Sequence, residues 1–145
     1  MFWDAFVSRR KKEDLGMTLD LRIYPLSGPY EVGWESVFLG DHLSFRSDYQ
    51  IFAQLRDTKD YEATTRPSPI IRPLPLPPQM VAGYLDEEEG LKRGRTDPLG
   101  DEFTFVYAKD LKHLAVPSDS APRNLAIKAF IDALPDDTPI ILWWE

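Results

Sequence analysis

Residues 140–144 read Ile-Ile-Leu-Trp-Trp, apolar at every position. Successive side chains of a strand point to opposite faces, so this run is expected to be a strand covered on two sides. Removing the last three or four residues is therefore expected to unfold the domain. No other segment constrains the fold as strongly.

A second strand signal lies at 18–25 (TLDLRIYP), where Leu19, Leu21 and Ile23 alternate with Asp20, Arg22 and Tyr24. That pattern fits a half-buried strand. Ser27, Gly28 and Pro29 form a turn signal. Residues 34–46 read as two short strands around Gly40 and Asp41, a hairpin turn in which glycine tolerates positive φ. Ser47 and Gln50 match the S-x-x-Q capping box and predict a helix running to about Asp57, with Ile51, Phe52 and Leu55 on its apolar face. Residues 80–85 suggest a short strand, 86–95 a charged loop, and 97–100 a turn. The run 103–108 (FTFVYA) is the densest β-branched and aromatic stretch, hence a strand. A helical turn or two follows at 109–114. A longer helix is expected at 121–134, with Ser120 as N-cap and Pro122 in the first turn. Its expected buried stripe is Ile127, Phe130, Ile131 and Leu134.

Between the halves lies a proline-rich stretch, with Pro67, Pro69, Pro73, Pro75, Pro77 and Pro78 close together. Proline fixes φ and removes a backbone donor, so 66–78 must be an extended connection rather than a helix or a central strand. Strands and two separated helices without βα alternation predict an α+β domain. Its sheet should be mixed or mostly antiparallel. The expected division is an N-terminal tail or docking helix at 1–16 and one globular domain at 17–145.

The chain has 145 residues, of which 43% are hydrophobic, enough for one core. No apolar run approaches the roughly 20 residues of a membrane-spanning helix. Cysteine is absent, which favours a reducing, cytoplasmic setting and removes thiol chemistry. Only His42 and His113 could act as ring ligands, so neither a multi-His metal centre nor a cofactor is expected.

Net charge is −7, from 17 basic and 24 acidic residues. Arg9, Arg10, Lys11 and Lys12 make 1–16 slightly basic, so the acidity resides in the remainder. Such a body repels phosphate backbones and attracts basic partners. In the N-terminal segment Phe2, Trp3, Phe6 and Val7 precede the basic run, a pattern compatible with a short interfacial membrane anchor, although so few turns supply little area.

Arg72, Pro75 and Pro78 belong to R-x-x-P-x-x-P, which resembles ligands of SH3 domains. The competing expectation is that Ile70, Ile71, Leu74 and Leu76 pack on the domain while the prolines blunt a sheet edge. Tyr30 and Trp34 are candidate aromatic anchors for a partner. Asp41, His42 and Ser44 are close in sequence but lack the spacing of a nucleophile motif. The acids at 86–89 lack the alternation of a calcium loop, and Lys92, Arg93 and Arg95 neutralise them locally. The best-supported expectation is thus a non-enzymatic interaction module (adaptor, inhibitor or immunity-type) for a basic protein surface. Two others compete with it: a small-molecule-binding enzyme using carboxylates with His42 or Arg46, and an aromatic-mediated homodimeric structural protein.

Overall fold

Five strands form one sheet: β1 (Asp20–Pro25), β3 (Leu43–Arg46), β4 (Leu74–Pro75), β7 (Thr104–Tyr107) and β8 (Pro139–Trp144), in the order β3-β1-β8-β7-β4. Every neighbouring pair is antiparallel. A second sheet holds β2 (Ser36–Leu39), β5 (Val81–Asp86) and β6 (Gly90–Gly94), with β2 parallel and β6 antiparallel to β5. Among the described residues three helices complete the α+β domain: α1 (Tyr49–Phe52), α2 (Ala108–Leu111) and α3 (Pro122–Asp132). This computed structural model describes residues 19–26, 36–57 and 66–145. The segment 1–16, the turn at Ser27 to Pro29, Tyr30 and Trp34 lie outside the described residues.

All six residues of β8 are buried, as a strand covered on two sides requires. The two coverings differ. On one face Leu21, Ile23, Phe45, Val106, Ile140, Leu142 and Trp144 meet Phe52 of α1, Leu111 of α2, and Ile127 and Ile131 of α3. On the other face Tyr24, Phe105, Ile141 and Trp143 meet Val37, Leu39 and Ala82 of the small sheet. The large sheet is thus the middle layer, with helices on one side and the small sheet on the other. Full burial of each large apolar side chain contributes about 1.5–3 kcal/mol, so both interfaces are needed.

Several local expectations are corrected by this layering. The strands flanking Gly40 and Asp41 exist, but they do not form a hairpin: β2 pairs with β5 and β3 with β1. Val37 and Leu39 bury in the small-sheet core, whereas Phe45 buries on the helix side. A tight hairpin would put both strands in one sheet, so the chain crosses between layers instead. The stretch 86–95 is not a loop but the tip and second strand of the β5–β6 hairpin, turned at Gly90 with φ +76°.

The first helix is a single turn, and its cap is Asp48 rather than Ser47. Ser47 adopts φ +47°, outside N-cap geometry, and its N–H turns back to Leu19 O. Asp48 Oδ1 accepts the Ile51 N–H at 3.3 Å. In α3 the N-cap is Ala121, while Ser120 Oγ donates to Asp48 Oδ2 at 2.7 Å. Pro122 stands at the helix start as expected. The buried face is Asn124, Ile127 and Ile131, and Phe130 is exposed. Asn124 accounts for the rotation: its Oδ1 accepts from Arg46 N and its Nδ2 donates to Arg46 O, both at 3.3 Å. This amide closes the free edge of β3 as a neighbouring strand would.

The proline stretch is extended, and its β4 residues form the opposite edge of the large sheet. Ile71 and Leu76 are buried, while Ile70 and Leu74 are exposed, so the packed reading holds for half of its apolar residues. Among the described residues, no helix is long and apolar enough to cross a membrane.

A candidate binding groove between the two sheets

The small sheet covers only part of the large one. Where they diverge, a groove of about 920 Å³ opens, bordered by β1, β8, the β2–β3 crossing and the β5–β6 hairpin. Period-2 alternation positions its residues. Leu21 and Ile23 turn to the helix-side core, so Arg22 and Tyr24 face the small sheet. The same alternation sends Trp144 to one side and Trp143 to the other.

Trp143 is the hub beneath the groove. Its ring stacks on Phe103 at 5.4 Å and meets Tyr84 edge-on at 4.9 Å and Tyr24 at 5.8 Å. The Arg22 guanidinium lies 5.4 Å from the ring centroid. Trp143 Nε1 is buried and has no hydrogen-bond partner, a donor whose desolvation is uncompensated.

Arg22 Nε donates to Glu145 Oε1 at 2.8 Å, and its Nη1 donates to Tyr24 OH at 3.2 Å. Burial pushes the Tyr24 phenol up, against the smaller opposing effect of the Arg22 hydrogen bond. At the hairpin tip Asp86 Oδ1 accepts from Glu89 N at 2.9 Å and Glu88 N at 2.8 Å, and these backbone bonds hold its carboxyl below the usual range. Lys92 is paired with Glu89 at 2.6 Å. By contrast Asp41, Glu87 and Glu88 stand exposed on the groove margin with no ion pair among the described residues.

Asp97 also borders the groove, yet its carboxylate is turned to the backbone. Oδ1 accepts from Leu99 N at 2.9 Å and Asp101 N at 3.1 Å, and Oδ2 accepts from Trp144 N at 3.4 Å. Burial nevertheless raises its pKa to about 6.

His42 is exposed on the margin, 5.1 Å from the Tyr24 ring. No hydrogen bond among the described residues joins Asp41, His42 and Ser44. Asp48 caps α1 outside the groove, and Arg46 lies at the end of β3. His113 is exposed after α2. Among the described residues, no group of three or more His, Asp or Glu could hold a metal ion.

Arg72, Pro75 and Pro78 are exposed along the β4 edge, away from this groove. Pro75 and Pro78 flank a separate hollow of about 660 Å³. There Arg95 clamps the chain: Nη1 donates to Pro77 O at 2.9 Å and also to Met80 O. Arg22, Tyr24, Tyr84 and Trp143 were not among the candidates read from the sequence. The signal for the first two was present in the polar face of the 18–25 alternation, but nothing local shows what that face meets.

No protein-family model matches the chain, and no curated protein or solved structure shows significant similarity to it.

Proposed function

We propose that the protein is a non-enzymatic interaction module that takes a basic segment of a partner protein into this groove. The observation that carries the reading is the charge imbalance of the margin. Its cations are already used, Arg22 by Glu145 and Lys92 by Glu89, whereas Asp41, Glu87 and Glu88 are unpaired. An incoming Arg or Lys would meet these carboxylates, and a neighbouring apolar residue would rest on Tyr84. Exposed ion pairs contribute only about 0–1 kcal/mol each. The carboxylates therefore set on-rate and selectivity, while aromatic contact supplies most of the affinity. The lack of cysteine favours the cytoplasm as the setting.

The test is titration of short Arg- or Lys-containing peptides with apolar flanks against the full chain, followed by NMR. Binding should perturb the Tyr84 and Trp143 signals, weaken with salt, and fall about tenfold or more in Asp41→Lys/Glu87→Lys. Absence of binding at low salt, or binding indifferent to the charge reversal, would overturn the reading.

A second reading, a small-molecule-binding enzyme, is favoured by one observation: His42 and the elevated Asp97 border the same groove. Against it, both Asp97 oxygens already accept backbone N–H groups. A small ligand that displaces the Asp97 carboxyl resonance would favour this alternative.

A further inference from the structure

The small sheet has a second face, turned away from the core. Along β5 and β6 the inward positions are Ala82 and Tyr84, so Leu85 and Leu91, cross-strand partners, point outward. They are 71% and 61% exposed, and Phe38 on β2 is 57% exposed beside them. These are the three most exposed large hydrophobics among the described residues. Phe38 leans over Gly83, where a Cβ would lie 3.7 Å from its ring.

Charge is arranged around this apolar centre with a definite polarity. Arg93 lies two residues beyond Leu91 toward the base of the hairpin, exposed and without a partner among the described residues. In the opposite direction, two residues beyond Leu85, begins the tip with Glu87 and Glu88, also unpaired. At about 3.3 Å per residue, both charges stand roughly 7 Å from the Leu85–Leu91 pair.

We infer that this face docks a second copy of the chain, related by a two-fold axis lying between the layers and perpendicular to the strands. That operation places Leu85 and Leu91 of one copy on those of the other, with Phe38 at the side. It also lays Arg93 of each copy over the acidic tip of its mate. A patch with apolar residues at the centre and opposite charges equally spaced on either side is complementary to itself, as a two-fold interface demands. The pairing with like ends together would set tip against tip and is repelled. Phe38, Leu85, Glu87 and Glu88 also border the groove, whereas Leu91 and Arg93 lie outside it, so Leu91→Ser and Arg93→Glu should abolish self-association while leaving peptide binding in the groove intact.

Sedimentation of the full chain at rising concentration tests the arrangement. The parent protein should form dimers, and Leu91→Ser should shift it to monomer while its thermal melt matches that of the parent diluted to monomer. Arg93→Glu and Glu87→Arg/Glu88→Arg should each weaken self-association by about tenfold or more, because each homodimer then opposes like charges. Mixing those two variants in equal amounts should restore dimers, since both contacts in the mixed pair become attractive. A chain that stays monomeric at every concentration overturns the inference. So does a dimer indifferent to Leu91→Ser and Arg93→Glu, or a mixture that fails to recover association.

Discussion

Trp143 and Trp144 are neighbours in sequence but lie in different cores. Trp144 packs edge-on against Phe52 at 5.3 Å on the helix side, and Trp143 stacks on Phe103 beneath the small sheet. One strand thereby ties the three layers together, and the groove inherits its floor from the strand that organises the core.

Trp144→Ala should cost about 3–5 kcal/mol of stability, the usual range for emptying a large aromatic site. Trp143→Phe should cost less, within about 1–2 kcal/mol of the parent, because it also removes a buried donor that has no acceptor. Urea melts of the two variants compare these costs. A loss for Trp143→Phe well above that range would mean that the Trp143 N–H is bonded in solution.

Asp97 predicts an unusual pH dependence. Its carboxyl has a pKa raised from 3.8 to about 6 in the folded chain. Between those values the folded state keeps a proton that the unfolded state has released. The contribution of this group is therefore fully present below about pH 4 and is lost as pH rises through about 6, a change on the order of 3 kcal/mol. Stability measured against pH for the parent and Asp97→Asn should show this decline only in the parent.

Arg95→Met should loosen the proline stretch. Its guanidinium donates to Pro77 O, Met80 O and, at 3.5 Å, Leu76 O. Hydrogen bonds to charged groups contribute about 1.5–3 kcal/mol. A loss of that order is expected, with faster hydrogen exchange at Leu76 and Met80 than at β8.

Asn124→Leu keeps the size of a buried side chain but removes both bonds to Arg46. Leaving that backbone N–H and C=O unsatisfied should cost about 1–3 kcal/mol. The accompanying signature is increased exchange at Arg46, with Leu142 of β8 unchanged.

These relationships differ in how far they could be read beforehand. The apolar run at 140–144 and the alternation at 18–25 predicted their strands because side-chain period is a local property. The exposed placement of Phe130 could not be read that way. On period alone it belongs with Ile127 and Ile131, but the bonds between Asn124 and Arg46 rotate the helix. Strand β6 was hidden for another reason: Gly90, Lys92, Arg93 and Gly94 are poor strand formers, and pairing to β5 overrides their propensity. Tyr30 and Trp34 lie outside the described residues, and the groove residues Arg22, Tyr24, Tyr84 and Trp143 come from three distant segments.

Sequence alone determined that the chain makes an α+β domain, that its final strand is buried on both faces, and that 66–78 is extended. Each follows from residue period, proline stereochemistry or composition. Only the tertiary structure decided which strands pair, which layer covers each face, and that the two layers diverge to leave a groove. Pairing and covering depend on the combined burial of side chains far apart in the chain, and no local window contains that sum.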